Sequence, residues 1–270
     1  MPPGEGHNER RPKRARSAAV MVALAALLAL TPAALAQRDA FDQMRMLLET
    51  GYYNSAARLN GPDLVARYPE EPEAYFLYAR ALYLTGDYAG ARAQLDRAMA
   101  LAGADVPAYS HLNALLLAAE GDPQGALRLL QNAFLRTREY SYAMEWGRVA
   151  WQAANYDEAI QAFRMASETD VGSRQPWPFL DLGRVLMLSG RTEEAIQAFN
   201  QAIEVYERYD PGATGPGSPA YVEAFYRLGE AYESLGQLEQ AETHYRAART
   251  ADPNYAPAVA ALDRLSRTFD

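Results

Sequence analysis

Residues 180–202 read LDLGRVLMLSGRTEEAIQAFNQA, and this stretch decides the fold. Apolar residues recur at helical spacing on both sides of Gly190, and a glycine gives the backbone the freedom that a tight turn between two helices requires. Ala195 and Ala202 place methyl groups where a larger side chain would push two helices apart. The stretch therefore predicts two antiparallel helices that cross closely.

The same arrangement returns about every 34 residues along the chain. One alanine column consists of Ala56, Ala91, Ala126, Ala159, Ala195 and Ala241. Five residues earlier, the turn column consists of Gly51, Gly86, Gly121, Ala154, Gly190 and Gly236. Seven residues after the first column stand Asp63, Ala98, Ala133, Ala166, Ala202 and Ala248. Three columns in step indicate a repeat, and a single helix pair cannot bury its apolar face without a neighbour.

The residues Leu182-Gly183, Gly190, Ala195-Ile196, Phe199 and Ala202 resemble the tetratricopeptide repeat pattern. The stretches from Trp146 to Ala166 and from Leu228 to Pro253 resemble it as well, and the likeness extends over nearly all of residues 37–270. The resemblance implies an all-α fold, a right-handed α-solenoid of about six helix-turn-helix repeats with a C-terminal capping helix.

The repeat pattern also predicts boundaries. The six repeats are expected at residues 37–70, 72–105, 107–139, 140–173, 176–209 and 222–255, and the cap at 256–269. Gly61-Pro62 is expected to break the second helix of the first repeat. Residues 210–219, DPGATGPGSP, cannot be helical and predict an exposed inserted loop, which is either a neutral insertion or a contact loop.

Residues 1–36 have the parts of a cleavable secretory signal peptide. Five cations from Arg10 to Arg16 precede an apolar run of about 14 residues, and Ala34 and Ala36 are the small residues of a cleavage site. A spanning helix needs roughly 20 apolar residues. We therefore expect cleavage after Ala36 and a periplasmic or secreted mature protein, with an uncleaved anchor as the alternative. The sequence has no cysteine, so it has no lipobox for a lipid anchor.

The sequence contains no recognisable catalytic constellation. His7 lies in the leader, while His111 and His244 stand alone on different repeats, and no zinc-protease, nucleophile-elbow or phosphate-loop motif occurs. We therefore predict that the protein is not an enzyme and that it has no cofactor and no metal site. The formal net charge of −8 disfavours a nucleic-acid partner, because phosphate backbones repel an acidic protein.

A binding groove is the remaining candidate site. In the tetratricopeptide family the first helices of the repeats line a concave surface, and the resemblance places a row of arginines with aromatic, Leu and Met side chains there. The predicted groove residues are Arg45, Phe76, Arg80, Tyr83, His111, Met144, Arg148, Trp151, Leu180, Arg184, Met187 and Tyr226. Such a row offers forked donors to carboxylates beside an adaptable apolar floor. The competing interpretation is that these are ordinary core and rim residues.

The leader and the repeat together predict a non-enzymatic scaffold or adaptor of the bacterial envelope. It would bind a peptide or protein segment with acidic and apolar residues in the concave groove. The alternative is a structural assembly component of a pilus, secretion or outer-membrane machine that acts through edge surfaces or self-association, and a homo-oligomer is compatible with it. A third hypothesis is an accessory to a cell-wall enzyme. After signal cleavage no membrane-spanning segment is expected.

Overall fold

A computed structural model describes residues 32–209 and 219–269 of the chain. Across these residues the chain is built from α-helices with short connections, and it contains no β-strand there. The helices form two compact units, one ending at Leu101 and one beginning at Ala102. The predicted all-α architecture of antiparallel helix pairs is confirmed.

The first unit contains two helix pairs. Its helices are α1 (Pro32–Glu49), α2 (Tyr53–Ser55, then a π-helical turn Ala56–Asn60, then Gly61–Arg67), α3 (Pro72–Leu84) and the larger part of α4 (Tyr88–Ala102). Most of the predicted signal peptide lies outside the described residues, and α1 begins before the expected cleavage point.

The second unit contains four helix pairs and a last helix. The helices are α5 (Pro107–Ala119), α6 (Pro123–Thr137), α7 (Tyr140–Gln152), α8 (Tyr156–Ser167), α9 (Trp177–Leu188), α10 (Thr192–Tyr209), α11 (Pro219–Ser234), α12 (Leu238–Ala251) and α13 (Ala256–Phe269). A short 3₁₀ turn, Gly172–Arg174, precedes α9. Except for Pro219, the predicted loop 210–219 lies outside the described residues. Among the described residues, no helix combines the length and apolarity needed to cross a bilayer.

The expected break at Gly61-Pro62 is wrong, because helical structure runs from Tyr53 to Arg67. The π-helical turn Ala56–Asn60 widens the backbone directly before Gly61. Pro62 then stands at the start of the following α-helical segment, where its missing N–H costs little. Gly61 is buried, and a Cβ atom there would collide with the ring of Tyr78 on α3. The glycine thus serves close helix packing.

The small residues allow the two helices of a pair to approach each other closely. A Cβ atom at Gly183 on α9 would collide with the ring of Phe199 on α10. A Cβ atom at Gly147 or at Gly229 would likewise collide with an aromatic ring on the second helix of the same pair. The buried aromatic ring therefore fills the space that the glycine leaves, and this contact fixes the rotation of each first helix.

The residues of the turn column adopt a left-handed backbone conformation. Gly190 has a φ of +74°, in the left-handed region, and a Cβ atom there would meet nothing within 4 Å. In the α7–α8 turn the corresponding residue is Ala154, which has a φ of 56°. A residue with a Cβ atom is strained in this region by roughly 1–2 kcal/mol.

Replacing Ala154→Gly is expected to increase the free energy of unfolding by about 0.5–1 kcal/mol. The change relieves backbone strain in the folded state. It also raises the conformational entropy of the unfolded chain, which offsets part of that stabilisation. Urea unfolding followed by circular dichroism measures it. Gly190→Ala is the matched control and should lower the free energy of unfolding by a similar amount. A lower stability for Ala154→Gly would contradict this account of the turn.

Candidate functional site

In the first unit, the predicted groove arginines already have intramolecular partners. The guanidinium of Arg45 donates to Asp42 and to Glu73, each at 2.6 Å, and the hydrogen bond to Glu73 raises the pKa of Arg45. Arg80 lies over the ring of Phe76, with 5.8 Å between its guanidinium carbon and the ring centroid. Tyr83 contacts the ring of Tyr88 at 5.6 Å between centroids.

In the second unit, two predicted groove residues lie in the core. Met144 is 2% exposed and Leu180 is fully buried, so these side chains face the second helices. Met187 is partly buried and packs against the same core. His111 is also partly buried and contacts Tyr142 edge-on, with 5.1 Å between ring centroids.

Three other predicted residues of this unit, Arg148, Trp151 and Arg184, meet at an open pocket of about 450 Å³ between α7 and α9. We call it the tryptophan pocket, and its lining consists of Arg148, Trp151, Gln152, Trp177, Asp181 and Arg184. Trp151 packs partly on the core, whereas Trp177 at the start of α9 is 38% exposed. Arg184 lies over the ring of Trp151, with 6.0 Å between the guanidinium carbon and the ring centroid.

A buried carboxylate, Asp181, holds the two arginines of this pocket. It is 4% exposed and accepts a hydrogen bond of 2.8 Å from Nη1 of Arg184. Nε of Arg148 lies 3.9 Å from its other oxygen. Burial raises the pKa of Asp181, and the charges of Arg184 and Arg148 oppose that rise. The residue orients both guanidinium groups from beneath the surface.

Asp181 is not among the predicted groove residues, although it lies three residues before Arg184. The available signal was the spacing, because an aspartate three residues before an arginine shares its face of a helix. The contact with Arg148 on the neighbouring first helix has no local signal in the sequence.

The charge network continues onto α11. Arg184 also pairs with Glu223, which accepts a hydrogen bond of 3.1 Å from Arg227. Arg227 in turn pairs with Glu230 at 2.7 Å, and the hydroxyl of Tyr226 donates to Glu230 at 2.8 Å. Burial and this hydrogen bond raise the pKa of Tyr226 to about 12. Tyr226 is therefore part of the network and carries a proton at neutral pH.

The predicted row of arginines is thus largely neutralised by carboxylates. Arg148 is the more accessible guanidinium of the pocket, since 45% of its side chain is exposed against 22% for Arg184. Nη1 of Arg148 donates to Glu145 at 2.9 Å, on its own helix. The pocket presents one accessible, oriented guanidinium beside two indole rings, with acidic groups behind it.

Three sequence models described as tetratricopeptide repeat match the chain, at residues 47–116, 111–170 and 176–254. Together they extend over most of its length. The chain belongs to the tetratricopeptide repeat family. Among curated proteins, none matches the chain significantly in sequence.

Solved structures share this tetratricopeptide fold. PilW, a widely conserved type IV pilus biogenesis factor, has a TM-score of 0.66 at 13% identity, over 84% of this chain and 98% of PilW. PilF of Pseudomonas aeruginosa has a TM-score of 0.61 at 13% identity, over 83% and 95% of the two chains. YrrB, a tetratricopeptide protein with an unusual peptide-binding site, has a TM-score of 0.55 at 18% identity, over 74% and 96%.

Tetratricopeptide repeat proteins are generally non-enzymatic interaction modules, and a protein-interaction or scaffold role follows for this member. Within residues 32–209 and 219–269, no group of three or more His, Asp or Glu side chains is arranged to hold a metal ion.

Asp181→Asn should change how stability depends on pH. Because the folded-state pKa of Asp181 is raised above 3.8, the folded state binds this proton more tightly than the unfolded chain does. Its contribution to stability is present below that value and is lost as pH rises through the folded pKa, by at most about 1.4 kcal/mol per pH unit. The free energy of unfolding of Asp181→Asn relative to the wild type is thus expected to rise as the pH increases above 3.8.

Urea unfolding at several pH values measures this difference, and Glu194→Gln provides a control of opposite sign. The hydrogen bond from Arg191 lowers the pKa of Glu194, so its contribution is present at high pH and is lost as pH falls. The relative stability of Glu194→Gln should fall as pH rises. Parallel trends for the two variants would disprove the assignment for Asp181.

Proposed function

We propose that this protein binds an extended segment of another protein in the bacterial envelope, with the tryptophan pocket as the anchor. An apolar or aromatic side chain of the segment lies between Trp151 and Trp177, and a neighbouring carboxylate pairs with Arg148. The observation that carries the proposal is the oriented, accessible guanidinium of Arg148 in a pocket walled by two indole rings.

The chemistry of the pocket favours one strong anchor over many charge contacts. Aromatic and arginine side chains in well-packed pockets supply most of the energy at protein interfaces. Asp181 and Glu145 hold Arg148 before a ligand arrives, so less side-chain entropy is lost on binding. Their negative charge also weakens the pull on a carboxylate, so the apolar anchor is required for tight binding.

The envelope location rests on residues 1–36, whose charge and apolar pattern is that of a signal peptide. The similarity to PilW, a pilus biogenesis factor, is compatible with this location.

Selection of peptides displayed on phage tests the proposal. Random peptides of about twelve residues, which span roughly 40 Å when extended, are selected on the wild-type protein. We expect enrichment of sequences with an apolar or aromatic residue beside an acidic one. Binding is read from acrylamide quenching of tryptophan fluorescence, because Trp146 is fully buried and Trp151 and Trp177 report on the pocket.

The variant Arg148→Gln should bind a selected synthetic peptide about tenfold more weakly than the wild type does. Arg148→Lys should weaken it less, because it keeps the charge and loses the planar fork. Arg128→Gln is the matched control, since Arg128 is an exposed arginine on α6 outside the tryptophan pocket, and it should bind as the wild type does. Failure to enrich any peptide, or equal affinity for Arg148→Gln, would remove the pocket from the proposal.

A second candidate is a structural component of a pilus, secretion or outer-membrane assembly that acts through edges or self-association. The fold similarity over 98% of PilW is the observation that favours it. Light scattering over a range of protein concentrations separates the two candidates. Peptide binding in the tryptophan pocket predicts a monomer, whereas a stable homo-oligomer at low concentration would support the assembly component.

A further inference from the structure

A second open pocket, of about 230 Å³, lies beside the tryptophan pocket. We call it the edge pocket, and its walls include Arg174, Pro176, Trp177, Val205, Tyr206 and Tyr209. They come from the connection before α9, from the first residue of α9 and from the end of α10, and Ala220 of α11 completes the lining. Trp177 lines both pockets, so the two recesses are neighbours that share this residue as a wall.

The edge pocket repeats the chemistry of its neighbour with one difference. Its walls combine aromatic and apolar side chains with the polar groups of Arg174 and Gln175, and Tyr209 is half-exposed. Arg174 is exposed and forms no ion pair with any residue in the described part of the chain. No described carboxylate offsets the charge of Arg174, whereas Asp181 offsets the charges of Arg148 and Arg184.

The backbone that carries Arg174 is held in place. Gly172 is buried, and a Cβ atom there would collide with the carbonyl oxygen of Ala166 at the end of α8. Backbone N–H groups of Arg174 and Gln175 donate to Val171 and Gly172 at 3.1 Å each, which closes the 3₁₀ turn. Arg174 thus stands on a fixed turn next to the mouth of the edge pocket.

We propose that the tryptophan pocket and the edge pocket form one bipartite site for an acidic peptide segment with two apolar or aromatic anchors. The segment crosses Trp177, places its second anchor against Val205 and Tyr209, and pairs a carboxylate with Arg174. This inference rests on the proposed function, because it extends the segment bound in the tryptophan pocket.

Two anchors on one segment explain how a charge-compensated pocket can bind selectively. Once the first anchor is seated, the second binds at the high effective concentration set by the short stretch between them. In an extended segment, every second side chain points to the same side and lies roughly 7 Å farther along, so both anchors can face the protein. Arg174 then selects segments that carry an acidic residue at the second anchor.

The experiment uses the full chain and the peptides selected on it by phage display. A selected peptide is synthesised whole and as two halves, and the half that Arg148→Gln weakens identifies the occupant of the tryptophan pocket. We expect Arg174→Gln and Tyr209→Ala each to weaken the whole peptide about fivefold to tenfold and to leave that half unchanged. Trp177→Ala should weaken the whole peptide more than either. Circular dichroism verifies that each variant is folded.

The possible results separate this inference from the proposed function. If Arg148→Gln weakens the whole peptide while Arg174→Gln and Tyr209→Ala bind it as the wild type does, the edge pocket is not used and the bipartite site is wrong. If Arg148→Gln also has no effect, or no peptide is selected, the proposed function falls with it. Selection of basic residues beside the second anchor would overturn the role of Arg174.

Discussion

The close approach of two helices at a small residue is the contact on which this structure depends. At Gly183 the absence of a side chain lets the ring of Phe199 lie directly on the backbone of α9. The same contact recurs at Gly147 and Gly229, each against an aromatic ring of its own helix pair. Since protein interiors are close-packed, a ring seated against bare backbone leaves the helix only one rotation. Each first helix of these three pairs is thereby held with the same face outward.

This fixed rotation aligns charges from three first helices. In the second unit, Arg148 on α7, Asp181 on α9 and Glu223 on α11 come within reach of Arg184 or of one another. The network offsets most of the positive charge that the arginine column would otherwise present. In the proposed function, recognition on this surface depends on the difference in exposure between Arg148 and the carboxylates behind it, and on the indole rings at its side.

Stability and recognition compete at Asp181. Burial of a carboxylate costs free energy unless hydrogen bonds and opposite charges offset it. Here two arginines supply that compensation, and the same contacts hold their guanidinium groups in place. By contrast, Arg174 is positioned by its backbone and keeps its charge free of described partners. The arginines of the two pockets beside Trp177 are therefore held in place differently, by side-chain contacts in the tryptophan pocket and by the backbone turn in the edge pocket.

The sequence by itself determined the repeat, the helix pairs and the turn positions, because small residues recur in register and each acts through its own backbone or its nearest helix. It also brought Arg148, Trp151 and Arg184 to one surface, since equivalent positions of a repeat share a face. Only the tertiary structure decided that Met144 and Leu180 are buried, because a small rotation separates the core edge of a helix from its open face. The contact between Arg148 and Asp181 is likewise visible only in the tertiary structure, because contacts between neighbouring first helices leave no periodic signal in the chain.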